Sequence, residues 1–152
     1  MGSVVNSERM PSVRTVPIGT QAATITLPVG YFRKRTRLKE ARLNDLVGIA
    51  ASNANYVTVT LQDVGPTPKV YASYDSRAAN QGALTAYLAK LMTLGGGVVL
   101  GSVAGATATP VLGDTTNPEV DIPAGSNLQL LITVTGAVTF TTALLQMENY
   151  PL

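Results

Sequence analysis

The sequence predicts an all-β chain: an antiparallel two-layer β-sandwich (a jelly roll) with an extended N-terminal arm. Three observations predict it. Apolar and polar residues alternate with a period near two along most of the chain. Turn signals built from Gly, Pro, Asn and Asp recur every 8–15 residues. Thr and Val, whose β-branched side chains suit a pleated and half-exposed surface, are abundant. The 152 residues supply one sandwich core but not two. Residues 1–14 are read as the arm and residues 15–152 as the sandwich domain.

Taken in order, residues 1–14 are polar and small, contain Pro11, and show no period. Such a segment has no packing partner inside its own domain. From Thr15 the alternation begins. Ala23, Ile25, Leu27 and Val29 alternate with Thr24 and Thr26, and Pro28-Val29-Gly30 is expected to break that run. Residues 34–51 fit two patterns. Lys39-Glu40-Ala41-Arg42 favours helix by propensity, while Leu38, Glu40 and Arg42 against Ala41 and Leu43 also fit a strand ending near Leu46; strand is preferred because its surroundings pair antiparallel. Asn55 to Asp63 is the clearest strand, with Val57, Val59 and Leu61 on one face and Tyr56, Thr58, Thr60 and Gln62 on the other. Gly65-Pro66-Thr67-Pro68 turns the chain, and Val70, Ala72 and Tyr74 then alternate with Tyr71 and Ser73. In residues 83–94, Leu84, Tyr87, Leu88 and Leu91 have helical spacing, so a short helix and an extended connection both remain open. Residues 101–117 read as a Gly/Ala/Thr-rich loop region with one or two short strands. Pro123 ends a strand. Leu128, Leu130, Ile132 and Val134 share one face of the next, Gly136 turns the chain, and Val138 to Glu148 returns.

Composition removes several chemistries. The chain has no His, Cys or Trp. Cys/His zinc sites, Ser-His-Asp and Cys-His nucleophile pairs and disulfides are therefore excluded. Only 13% of residues are charged, about half the usual share. Gly95–Gly101 lacks the spacing of a dinucleotide-binding turn. Asp114, Asn117, Glu119 and Asp121 offer oxygen ligands, but Pro118 interrupts them and they read better as turn formers. No spacing pairs two carboxylates across a cleft. The expectation is a chain that is not an enzyme, with no catalytic residues, no metal and no cofactor. No stretch is long and apolar enough for a membrane helix and no signal-peptide core opens the chain. Synthesis in the cytoplasm and no membrane partner are expected.

Charge is unevenly placed. Residues 1–62 carry eight Lys/Arg and three acids, and residues 63–152 carry three Lys/Arg and six acids. The basic excess sits mostly in Arg33-Lys34-Arg35-Thr36-Arg37-Leu38-Lys39. Its candidate roles are a solvated edge, a contact with an acidic neighbour, or phosphate binding with Tyr31 and Phe32 stacking on bases.

Four stretches carry a resemblance: "TVPIGTQAATITLPVG", "ASNANYVTVTLQD", "YASYDSRAANQGALTAY" and "VDIPAGSNLQLLITVTGAVTFTTALLQMENY". Together they span about residues 15–151, and their pattern resembles jelly-roll decoration (cement) proteins of tailed-bacteriophage heads. The basic run departs from it. The resemblance implies a structural virion protein on the outer capsid surface, made in the host cytoplasm. It would bridge neighbouring major capsid subunits as a homotrimer and thereby stabilise the shell. The expected partners are the major capsid protein and further copies of the chain. Arg9 and Arg14 of the arm, with Arg33, Lys34, Arg35 and Arg37, are the expected contacts to the capsid or to other subunits. Nucleic acid and small-molecule substrates are not expected. The rival readings are a receptor-binding or fibre-associated virion protein, a self-assembling shell subunit, and a nucleic-acid-binding β-barrel.

Overall fold

Alternation becomes pairing in the computed structural model, which describes residues 11–95, 119–140 and 143–152. Ten strands are found there and no helix: β1 (Ser12–Ile18), β2 (Ile25–Phe32), β3 (Thr36–Asp45), β4 (Tyr56–Asp63), β5 (Val70–Asp75), β6 (Lys90–Leu91), β7 (Thr93–Leu94), β8 (Val120–Ile122), β9 (Ser126–Thr135) and β10 (Ala143–Pro151). The first sheet runs β1-β10-β3-β6, with β8 also on β3; the second runs β2-β9-β4-β5-β7. All pairings are antiparallel. Consecutive long strands swap sheets, as β1 to β2, β3 to β4 and β9 to β10 do. This is the winding of a jelly roll.

The strands face their apolar sides inward because that is the only way two sheets can both shed water from one face. Ile18, Leu38, Ala41, Leu43, Leu145 and Met147 of the first sheet are fully buried. They meet Val57, Val59, Leu61, Tyr74, Leu128, Leu130 and Ile132 of the second. Leu130 lies in register between Leu27 and Leu61, at the centre of that layer.

Several expectations are corrected. The first strand begins at Ser12, so residues 12–14 pair with β10 where the arm was expected; Arg9 lies outside the described residues. Pro28-Val29-Gly30 does not end β2. The register shifts there, and the strand continues to Phe32 as a bulged edge, where a missing Pro N–H costs no ladder bond. A second register shift, between Leu61 and Gln62 against β5, breaks the expected alternation, so Tyr71, Ala72 and Tyr74 are all buried. The preference for strand in residues 34–51 holds, as β3. Residues 83–94 contain no helix: Leu84 is tied to Ile49 by a bridge, and Tyr87 has φ of +61°, which no right-handed helix admits. The return strand begins at Ala143, with Phe140 bridged to Gln21 ahead of it. The expected strands in residues 101–117 lie outside the described residues.

Candidate functional site

The basic run was read from its own residues; its acidic partners come from the other half of the chain. β3 is sandwiched in its sheet between β10 on one edge and β8 and β6 on the other. Asp121 of β8 is opposite Arg37 in register. Its carboxylate accepts from Arg37 Nε at 2.7 Å and from Arg35. These hydrogen bonds, that of Arg37 foremost, hold the Asp121 carboxyl down at about 2 and raise Arg37 further above its ordinary value. Arg37 also lies 4.0 Å from Glu119, whose Oε2 accepts from the Tyr150 hydroxyl at 2.6 Å. That bond raises the Tyr150 hydroxyl pKa. Farther along β3, Lys39 pairs with Glu148 of β10 at 3.1 Å, Arg42 with Glu40, and Asn44 donates to Gln146 at 3.1 Å. The outer face of the first sheet is therefore a ladder of internally satisfied polar pairs.

The remaining predicted residues separate. Arg14 of β1 reaches across to the second sheet, where its guanidinium sits 4.4 Å from the centroid of the Phe32 ring. Gly30 makes room for it: a Cβ there would lie 2.9 Å from Arg14 Nη1. Arg33 and Lys34 are exposed on the β2–β3 turn, and among the described residues Arg33 makes no ion pair. Phe32 is buried beneath Arg14 and is out of reach of a base, while Tyr31 is exposed. Arg35, Arg37 and Asp121 thus form one cluster; Arg14 stands apart from it. Asp121 and Glu148 were missed as partners. The signal that could have found them is the complementary charge of the two halves of the chain.

A second polar cluster closes the corner after β5. Asp75 is buried, at 3% exposure. Its Oδ1 accepts from Arg77 N at 2.9 Å, and its Oδ2 accepts from Arg77 Nη2 at 2.5 Å and Asn80 Nδ2 at 2.8 Å. The Arg77 guanidinium also stacks on Tyr56, 4.7 Å from the ring centroid. Ser76 Oγ accepts from Val57 N at 2.9 Å, and Gln81 Oε1 accepts from Asp75 N at 2.7 Å. This network satisfies backbone groups that the strand end would otherwise leave buried and unpaired. The Tyr74 hydroxyl donates to Gly82 O at 2.8 Å, and burial raises its pKa strongly.

At one end of the sandwich an open cleft of about 430 Å³ lies between the 63–68 and 124–127 turns, with Asp63, Ser126 and Asn127 among its lining. The Tyr71 hydroxyl donates to Asp63 at 3.0 Å; burial, then this bond, pushes it up to about 12. Asp114 and Asn117 of the proposed oxygen cluster lie outside the described residues, and Glu119 and Asp121 are committed to Tyr150 and the two arginines. Among the described residues no three His, Cys, Asp or Glu are grouped to hold a metal ion. No described helix is long and apolar enough to cross a membrane.

The class these features define is a jelly-roll β-sandwich with a largely self-neutralised outer face. No family model matches the chain, and no curated protein matches it. Among solved structures, a chain from the structure of infectious bursal disease virus, Gx strain, is similar over 92% of this chain and 31% of its own length, with 12% identity and a TM-score of 0.32. This chain therefore spans less than a third of that one.

Proposed function

We propose that the chain is a structural virion protein that decorates the outer surface of an icosahedral phage capsid and cements it by bridging neighbouring major capsid subunits. The observation that carries this reading is the strand order, β1-β10-β3-β6 over β2-β9-β4-β5, because the jelly roll is a recurrent architecture of viral shells. The warrant is one of fold; the sequence pattern of the four quoted stretches supports it. In this reading the chain works as a homotrimer made in the host cytoplasm and performs no catalysis. The expected contacts are Arg9, Arg14, Arg33, Lys34, Arg35 and Arg37. Arg33, on its exposed turn, leads the set, since Arg35 and Arg37 would have to exchange Asp121 for a capsid carboxylate.

The test is stoichiometry in purified particles, from a denaturing gel quantified against the major shell protein. A ratio that is a simple fraction of the shell protein supports decoration. A few copies per particle moves the protein to a vertex, fibre or tail, and absence removes the reading. Arg33→Glu is expected to weaken attachment to bare shells several-fold at low salt. Unchanged attachment would remove Arg33 from the contact.

A further inference from the structure

Four large apolar side chains at one end of the sandwich remain in water. Leu46 is 52% exposed, Val47 64%, Tyr87 78% and Leu88 62%. They come from two segments far apart in sequence, the turn after β3 and the connection before β6. Backbone hydrogen bonds lock these segments together: Tyr87 N donates to Asp45 O at 2.8 Å, Ile49 N to Leu84 O at 2.7 Å, and Leu84 N to Ile49 O at 2.9 Å. Inside the turn, Val47 N donates to the buried Asp45 carboxylate at 2.9 Å. Gly48 permits the close approach, since a Cβ there would lie 2.7 Å from Leu84 O.

The patch is therefore held in place. Tyr87 is the single non-glycine with positive φ among the described residues. An aromatic residue held in that conformation while its ring is in solvent is poor for the free fold and useful for a contact. Tyrosine is one of the residue types enriched among the few that carry most of the binding energy of interfaces.

We infer that this patch is a contact surface for a second copy of the chain. Residues 46–48 and 84–89 contain no charged side chain; the flanking Asp45 is already buried and Lys90 half-buried, so like can meet like with little repulsion. The area sets the strength. The four side chains present roughly 450 Å² of apolar surface, within the ~300–600 Å² of a typical largest patch, which is often functional. Two such patches remove about 900 Å² from water, below the ~1,200 Å² of stable complexes. The contact is weak for two free molecules. It becomes tight where copies are already held side by side, because effective concentration then replaces bulk concentration. The inference gives a surface to the self-association in the proposed function, yet it is measured without any particle.

The experiment is sedimentation of the purified chain from about 10 µM to 1 mM, with Tyr87→Gly, Leu88→Ser and Val13→Ser in parallel. Glycine accepts the positive φ, so Tyr87→Gly removes the ring without stressing the backbone. Val13 is equally exposed, at 65%, but lies on β1. The expected result is reversible self-association with Kd on the order of 100 µM, weakened tenfold or more by Tyr87→Gly and by Leu88→Ser, and unchanged by Val13→Ser. A wild-type chain that stays monomeric at about 1 mM overturns the inference. So does association that both patch variants leave intact, or that Val13→Ser abolishes. Absence of the protein from particles would overturn the proposed function while leaving this contact standing.

Discussion

Arg77→Ala tests whether the corner after β5 is held by a buried charge pair. The Asp75 carboxylate is 3% exposed. The substitution removes the Nε and Nη2 donors at 2.9 and 2.5 Å from its Oδ2. The Arg77 backbone N–H and Asn80 remain as donors. Breaking a fully buried pair costs ~3–5 kcal/mol. The Arg77 side chain is 37% exposed, so water screens part of the loss; against that, its stacking on Tyr56 is also lost. We therefore expect a destabilisation of about 2–3 kcal/mol, which for a chain of this length lowers Tm by roughly 5–10 °C. Calorimetry and urea unfolding measure it. Arg35→Ala is the control: Arg35 is exposed, and Asp121 keeps Arg37, so its midpoint should hardly move. Adding Asp75→Asn to Arg77→Ala should recover part of the loss, because the uncompensated charge is then gone. If Arg77→Ala costs under about 1 kcal/mol, or no more than Arg35→Ala, the buried-pair reasoning is wrong.

Leu130→Ala, at the centre of the second sheet's inner face, should cost about 3–4 kcal/mol by urea unfolding. Gly48→Ala should cost about 2 kcal/mol in the same assay, since the new methyl meets the Leu84 and Ala86 backbone at a φ of +86°. In acid, stability contributed by Asp121 is present above its unfolded value near 4 and is lost as pH falls towards about 2. The urea midpoint should fall across that window, and Asp121→Asn should flatten its own share of the fall. In alkali the sign reverses. Tyr71 is raised from 10.0 to about 12, so its contribution is intact below pH 10 and is lost between 10 and 12. Absorbance of tyrosinate should show a late-titrating group that Tyr71→Phe removes.

Strands β4 and β9 were legible because their alternation is unbroken: Val57, Val59 and Leu61 pair with Val134, Ile132 and Leu130 without a shift. Segments with a bulge were legible as strands but not in phase or extent. In β3 the inward residues are Leu38, Ala41 and Leu43, a spacing of three then two that mimics a helix. The cause is the register shift opposite Glu148 and Asn149, where Lys39 is the extra residue. The same device at Val29 made β2 look terminated at Pro28. One inserted residue changes the phase of the pattern, and phase is what periodicity reads. Residues 83–94 stayed open between helix and extended connection for a different reason. The position of Tyr87 depends on a hydrogen bond to Asp45, 42 residues earlier in the sequence, and no local pattern encodes it. The residues proposed as contacts were legible only as a charge excess, because a cation's availability depends on which strand lies beside it.

An isolated basic run suggests attraction over a Debye length and attachment that salt dissolves. Here the excess of the first half is drawn against the acids of the second by the β8-β3-β10 order, so much of the run's charge is spent inside one sheet. What stays outward is an exposed Arg33 turn at one place and an uncharged, rigid apolar patch at another. These do different work. A turn bearing exposed cations orients an approaching surface and raises the on-rate, whereas burial of Tyr87 and its neighbours in the proposed contact would slow departure. A fold that neutralises its own charge ladder gives up long-range pull. In the proposed assembly its uncharged patch would then act at high local density, where residence time matters more than encounter.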